Sequence, residues 1–78
     1  MDKHAGYKDC IIMYKSSTPQ DVVDTACDKI EAMGGHIKHI YKIGIKGIAA
    51  RIPDDLVNAF DIDPWVNYVE PDGIATIQ

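Results

Sequence analysis

The sequence predicts an α+β fold in which two helices pack on one face of a four-stranded antiparallel sheet. Segments typical of strands and helices follow one another in the order strand, helix, strand, strand, helix, strand. The first and third strand segments are apolar at odd and even positions alike, which is typical of central strands. A chain of 78 residues forms one core, so we expect a single domain over residues 1–78, with flexible residues 1–6 and an extended tail over residues 74–78.

The first strand is predicted over Tyr7–Tyr14, and its apolar run predicts burial on both faces. A helix follows, for which Thr18 is the expected N-cap and Pro19 the first helical residue. Apolar residues recur there at intervals of three and four and predict one buried stripe: Val22, Val23, Ala26, Cys27, Ile30 and Met33. Gly34 and Gly35 end the helix, because glycine readily adopts the left-handed backbone that follows a last turn.

A hairpin is predicted in the middle of the chain. Its first strand covers His36–Ile43, where Ile and Tyr are interleaved with Lys. Gly44 and Gly47 supply the glycines that a tight turn needs. The second strand of the hairpin covers Gly47–Ile52 and is apolar on both faces, so it is expected to lie at the centre of the sheet beside the first strand.

The last part of the chain predicts a short helix and a final strand. Pro53 opens the helix, and Asp54 and Asp55 suit its positive N-terminal end. The helix ends before Pro64, and the last strand is expected over Trp65–Glu70. The order βαββαβ with both helices on one face is the ferredoxin-like plait. This fold hosts many functions, so the function has to be argued from particular residues.

The composition is acidic, with eight Lys plus Arg against twelve Asp plus Glu and a net charge of −4. Nucleic acid is therefore a poor partner, because its binding requires clustered positive charge. Residues 47–78 hold one Arg and six acids, a net charge of −5. Either a partner recognises this charge, or the acids only keep the domain soluble. No leader-like start and no apolar run near the ~20 residues of a membrane span occur, so we expect a cytoplasmic chain without a membrane partner.

The side chains most often used in chemistry do not form a site in this sequence. Cys10 and Cys27 lie on apolar faces and are expected to be buried, inert thiols, although one disulfide between them remains compatible with the sequence. His36 and His39 are three residues apart on a predicted strand, which places them on opposite faces and prevents a shared metal. No nucleophile has an evident base nearby. We therefore expect no metal, no cofactor and no catalytic residue, and hence no enzyme.

The C-terminus is the unusual part of the sequence. Glu70 and Asp72 stand just before an uncharged tail that ends at Gln78. One interpretation is a last strand followed by a frayed end. The other is that the tail adds as an extended strand to a groove on a partner, where main-chain hydrogen bonds give affinity and side chains give selectivity.

The segment Pro64–Ala75 resembles the end of subtilisin propeptides, whose pattern runs proline, a variable residue, Val, a variable residue, Tyr-Val-Glu, a variable residue and Asp. Asp9–Lys15 resembles the first strand of these propeptides. Gly34–Ile37 and Ile45–Ala50 resemble their middle hairpin. The likeness extends in order and spacing over residues 7–78. The sequence most resembles the free-standing fungal inhibitors of the proteinase A/B type, which belong to the inhibitor I9 type.

This resemblance implies a docking mode. The helix-free face of the sheet would lie against two surface helices of a subtilisin-like serine protease, with Glu70 and Asp72 near the positive N-termini of those helices. The tail would enter the active-site cleft like a cleavage product and fill the four subsites before the scissile bond with Ala75, Thr76, Ile77 and Gln78. Subtilisins favour large apolar groups at the primary pocket and the fourth subsite, where this chain offers Gln78 and Ala75. The tail is therefore expected to be a modest ligand, and the sheet face to supply much of the affinity.

Three functions remain open at this point. The first is a monomeric, free-standing inhibitor of a separate protease, which is expected because the sequence runs from Met1 to Gln78 without a secretion leader or a catalytic domain. The second is an intramolecular chaperone that assists the folding of an attached protease by binding its native state. The third is an unrelated regulatory or ligand-binding module with the same fold.

Overall fold

The computed structural model describes residues 6–72, which form strands and helices in the predicted order. The elements are β1 (Tyr7–Tyr14), α1 (Gln20–Ala32), β2 (His36–Tyr41), β3 (Lys46–Pro53), α2 (Asp54–Asp61) and β4 (Val66–Pro71). The predicted α+β plait is therefore confirmed. Apart from Gly6, the predicted flexible start over residues 1–6 and the predicted tail over residues 74–78 lie outside the described residues.

The four strands form one antiparallel sheet in the spatial order β2-β3-β1-β4. β1 and β3 are central, as their apolar residues on both faces predict. These two strands pair along their whole length, from Tyr7 opposite Pro53 to Tyr14 opposite Lys46. β4 pairs with the other side of β1 and places Val69 opposite Ile12. This register decides which side chains share a face of the sheet.

The core lies between the two helices and one face of the sheet. Alternate residues of the central strands enter it, together with one stripe of each helix. The buried core consists of Cys10, Ile12 and Tyr14 of β1, Ile48, Ala50 and Ile52 of β3, Val23, Ala26, Cys27 and Ile30 of α1, and Leu56 and Phe60 of α2. The remaining residues of β1 and β3 have the opposite orientation and lie on the face without helices.

The start of α1 differs from the prediction. Pro19, with φ −61° and ψ 146°, is the N-cap residue, and no side chain caps the helix. Thr18 is completely buried, and its hydroxyl donates to the carbonyl oxygen of Trp65 at 3.4 Å. The same oxygen accepts the backbone N–H of Lys15 at 2.9 Å. The prediction that Thr18 caps α1 is wrong because its hydroxyl makes a tertiary contact with the loop before β4.

The end of α1 agrees with the prediction. The backbone N–H of Gly34 donates to the carbonyl of Glu31 at 3.1 Å, and that of Gly35 to the carbonyl of Ile30 at 2.8 Å. This pair of hydrogen bonds is the Schellman motif. It requires the left-handed backbone that Gly34 adopts with φ +89°. With 13 residues α1 is longer than α2, and within residues 6–72 neither helix is long and apolar enough to cross a membrane.

The other element ends differ from the prediction by one or two residues. β2 ends at Tyr41 instead of Ile43, and β4 begins at Val66 instead of Trp65. β3 is one residue longer at each end than expected. α2 begins after Pro53, which is its N-cap residue, rather than at Pro53 itself. These shifts leave the order of the elements unchanged.

β2 contains an irregularity that the sequence did not predict. Its pairing with β3 has a bulge at Lys38, so His36 lies opposite Arg51 while His39 lies opposite Ala49. Arg51 and Ala49 are two residues apart on a regular strand and share a face. The prediction that His36 and His39 lie on opposite faces is wrong, because the bulge inserts one residue between them.

Tyr14 buries a polar group that lacks a partner within residues 6–72. Its side chain is only 3% exposed, and its hydroxyl makes no hydrogen bond to the described residues. Burial raises the pKa of Tyr14 far above its ordinary value, and the charge of Asp63 acts in the same direction. The hydroxyl therefore loses its hydration on folding without gaining a hydrogen bond to residues 6–72 in return.

We expect Tyr14→Phe to keep the fold and to raise the free energy of unfolding by about 1 kcal/mol, because it removes this unpaired hydroxyl. Urea unfolding followed by circular dichroism measures the change as a higher midpoint at an unchanged slope. Tyr68→Phe is the matched control, because it makes the same change of side chain at a residue that is 51% exposed. A lower midpoint for Tyr14→Phe alone would mean that a buried water or an undescribed residue pairs with the hydroxyl.

Candidate functional site

The sheet has a second face on the side away from both helices, which we call the open face. The strand register arranges its side chains in three rows that run across the sheet. In the order β2, β3, β1 and β4, the rows are His36, Arg51 and Asp9; then His39, Ala49, Ile11 and Glu70; then Tyr41, Gly47, Met13 and Tyr68. The open face is therefore charged at one end and apolar at the other.

The apolar end of the open face is built around Gly47. A Cβ atom at Gly47 would lie 3.0 Å from the sulfur of Met13 and 3.5 Å from the ring of Tyr41. Because glycine has no side chain, both Met13 and Tyr41 can pack over the backbone of β3 at Gly47. Tyr68 lies opposite Met13 on β4 and is 51% exposed. Aromatic rings and a thioether at the surface are typical of sites where another protein docks.

The middle row of the open face lies next to the apolar end and contains one acid, Glu70. Ile11 is half-buried between Ala49 on β3 and Glu70 on β4. The rings of His39 and Tyr41 pack edge to face, with centroids 4.6 Å apart. Glu70 is exposed and forms no salt bridge with residues 6–72. Its carboxylate is therefore accessible to a partner that lies on the open face.

The charged end of the open face links three strands to the residue after β4. The ammonium of Lys38 lies 2.8 Å from the carboxylate of Asp9 and 3.7 Å from that of Asp72. The guanidinium of Arg51 donates to the same Asp9 oxygen at 3.2 Å. The backbone N–H of Asp72 donates to the backbone carbonyl of Asp9 at 3.0 Å. We call Asp9, Lys38, Arg51 and Asp72 the charge network.

Asp9 is the centre of the charge network. The hydrogen bond from Lys38 is the largest influence on its carboxyl group and holds the pKa of Asp9 below its ordinary value, with a smaller contribution from Arg51, while desolvation opposes the shift. The side chain of Asp9 is 26% exposed, so water screens these interactions. Each pair therefore contributes at most about 1 kcal/mol to stability.

The acids of residues 47–78 lie on different sides of the sheet in the structure. Glu70 lies on the open face, and Asp72 follows β4 with its side chain 8% exposed within the charge network. Asp54, Asp55 and Asp61 belong instead to α2, on the other side of the sheet. The predicted tail residues lie outside the described residues: Ala75, Thr76, Ile77 and Gln78. Of the described acids in this half, only Glu70 and Asp72 lie beside the open face.

The two cysteines and the histidines do not form a reactive centre in the described part of the chain. Cys10 and Cys27 are free and buried, as predicted. Burial raises the pKa of both thiols, which disfavours the reactive thiolate. Within residues 6–72 no group of three or more His, Cys, Asp or Glu side chains could hold a metal ion.

Sequence reasoning identified Glu70 and Asp72 but missed the other residues of the site. Asp9 and Arg51 could have been found, because they are opposite charges on two strands that were predicted to be central neighbours. The role of Lys38 could not, because its contact with Asp9 depends on the bulge in β2. Met13 is visible in the sequence as an apolar residue but not as one that lies half-buried on the open face.

Comparison with known proteins finds a matching family and a similar protein. The model of the peptidase inhibitor I9 family matches residues 7–78. A subtilisin-like serine protease from Sarocladium strictum, AsES, is 33% identical to the chain over 67 residues. This match covers 86% of the chain but only 16% of the protease, so the chain spans about a sixth of the length of that relative. No solved structure matches the chain.

We expect Asp9→Asn to lower the free energy of unfolding at neutral pH by at most about 2 kcal/mol, because it weakens two pairs that each contribute at most about 1 kcal/mol. The folded-state pKa of Asp9 lies below the unfolded value of about 3.9. Its stabilising contribution is therefore full above that value and is lost as the pH falls through the folded-state pKa. The urea midpoints of the variant and the unmodified chain should differ at neutral pH and converge in strong acid.

Asp28→Asn is the control for this measurement, because Asp28 is exposed on α1 and forms no salt bridge within residues 6–72. It should change the midpoint little at any pH. A loss of stability in Asp9→Asn that is the same at every pH would show that Asp9 stabilises the fold through its shape and not through its charge.

Proposed function

The chain belongs to the peptidase inhibitor I9 family, and on this premise we propose that it inhibits a subtilisin-like serine protease without itself being a catalyst. The observation that carries the proposal is the open face, which leaves the rings of Tyr41 and Tyr68 on the side of the sheet that no helix covers. The chain binds as a monomer, with the open face against the protease and the tail in the active-site cleft.

The apolar end of the open face supplies non-polar contact area. Met13, Tyr41 and Tyr68 lie in one row, so a flat protein surface touches all three together. Burying apolar surface contributes about 25 cal/mol per Å². Aromatic side chains at the centre of an interface commonly provide the largest share of its binding free energy. This area compensates for a tail whose side chains fit a subtilisin only modestly.

Glu70 and Asp72 supply the electrostatic part of the interaction. A helix N-terminus presents unpaired backbone N–H groups and a partial positive charge, which attract a carboxylate. Glu70 is exposed on the open face and needs no rearrangement to meet such a helix end. Asp72 is engaged by Lys38 and its side chain is only 8% exposed, so it contributes negative charge beside Glu70 and not a new hydrogen bond.

The tail completes the inhibition by blocking the cleft. Residues 75–78 bind in extended form like the product of cleavage, so their main chain hydrogen-bonds to the edges of the protease cleft. Ala75 occupies the fourth subsite before the scissile position and Gln78 the primary pocket. Because the folded domain is docked beside the cleft, the tail binds at high effective concentration and dissociates slowly. No cofactor takes part.

The similarity to a protease favours a second function, that of an intramolecular chaperone. The S. strictum protein that resembles this chain is a protease about six times as long as the matched region. A domain that binds the native state of a protease stabilises that state and can assist its folding. The chain would then act as an intramolecular chaperone. Recovery of activity from a denatured subtilisin, refolded with and without the chain, distinguishes this role from inhibition alone.

The direct test is titration of a subtilisin with the full chain and with a chain that ends at residue 74, followed by peptide hydrolysis. Every core residue precedes residue 61, so the shortened chain keeps the whole core, and circular dichroism checks its fold. We expect the full chain to inhibit at micromolar concentration or below. Loss of the tail should weaken inhibition about tenfold or more. No inhibition by either chain rules out the proposal, and equal inhibition by both rules out tail insertion.

We also expect Glu70→Gln to raise the inhibition constant about twofold to fivefold at low ionic strength, because a carboxylate at a helix N-terminus is worth about 0.3–1 kcal/mol. Added salt should reduce the difference, since exposed charges are screened. Asp61→Asn is the matched control, because it removes an exposed acid from α2 on the opposite side of the sheet. Equal inhibition constants for Glu70→Gln and the unmodified chain in low salt would contradict the proposed contact.

A further inference from the structure

Lys38 takes no part in the contacts with the protease proposed so far, yet within the charge network it contacts both Asp9 and Asp72. We propose that Lys38 is a positioning residue, which holds Asp72 and thereby sets the direction in which the tail leaves the sheet. This inference rests on the proposed function, because it concerns how the tail is presented to the protease. It assigns a role to a residue that touches neither the cleft nor the scissile position.

The bulge in β2 allows the side chain of Lys38 to extend across β3 toward β1. Neighbouring strands are about 4.8 Å apart, so β2 and β1 are separated by about 10 Å with β3 between them. The side chains of Lys38 and Asp9 bridge this gap together, and the Lys38 ammonium lies 2.8 Å from the Asp9 carboxylate. The residue of β3 on the open face next to the bulge is Ala49, whose methyl group leaves room for the crossing.

Asp72 is anchored to the sheet through its backbone and through its side chain. Its backbone N–H donates to the carbonyl of Asp9 at 3.0 Å, which extends the pairing of β4 with β1 by one residue. Its carboxylate lies 3.7 Å from the Lys38 ammonium, and its side chain is only 8% exposed. Asp9 in turn holds Lys38, and Arg51 holds Asp9. The backbone and the side chain of Asp72 are therefore both anchored to the sheet.

The position of Asp72 in the chain makes this anchor relevant to the tail. The first proposed cleft residue, Ala75, follows Asp72 by three residues, and three residues span at most about 11 Å. Fixing Asp72 therefore restricts the region that Ala75 can reach. A ligand that is already oriented loses less conformational entropy on binding. Without Lys38, the side chain of Asp72 would have to be ordered at the moment of docking.

The test measures Lys38→Met, which removes the charge but keeps most of the stem, in the full chain and in the chain that ends at residue 74. We expect Lys38→Met to raise the inhibition constant of the full chain about fivefold, which is within the usual range of coupling between residues of one salt-bridge network. The inhibition constant of the shortened chain should stay unchanged. Lys38→Arg should restore inhibition. Lys29→Met on α1 is the matched control, because it removes a lysine on the helix side that forms no salt bridge within residues 6–72.

Equal loss of inhibition in the full and shortened chains would overturn the proposal, because Lys38 would then act on the open face or on stability and not on the tail. No loss in either chain would overturn it as well. A second readout needs no protease: the heteronuclear ¹⁵N relaxation of the Asp72 amide should show greater motion in Lys38→Met than in Lys29→Met. If the unmodified chain does not inhibit a subtilisin, the proposed function is wrong, and this amide still decides whether Lys38 anchors Asp72.

Discussion

The pairing of β1 with β3 is the interaction on which the rest of the structure depends. The same ladder of backbone hydrogen bonds places Ile12 against the helices and Ile11 and Met13 on the open face. A shift of one residue in this register would exchange the two sets, burying the open face and exposing the core. The hydrophobic core and the proposed docking surface are therefore specified together, by one alignment of two strands.

Most of the fold could be predicted because it follows from local patterns. The two-faced apolar runs identified the central strands, and Gly34 with Gly35 identified the end of α1. The failures share a physical cause. Thr18 was expected to cap a helix, and its hydroxyl instead meets Trp65, which is distant in sequence. The bulge at Lys38 likewise arises from pairing between strands and leaves no signature in the residues around it.

The site was only partly predictable for the same reason. Glu70 and Asp72 were found through the likeness of their segment to a family, while the geometry that gives each a different environment came from the sheet. Glu70 is exposed, whereas Asp72 is buried and contacts Lys38 of β2. A pattern of two acids with one residue between them cannot reveal this difference. The likeness located the two carboxylates, and tertiary structure distinguished what each of them contacts.

The bulge in β2 also bears on how copies of this protein meet one another. In the described sheet β2 is an edge strand, whose outer backbone groups could pair with a strand of a second molecule. A bulge interrupts the regular spacing that such pairing requires, and a lysine at the interruption adds charge that opposes it. The irregularity that directs Lys38 toward Asp9 and Asp72 therefore also disfavours aggregation through that edge.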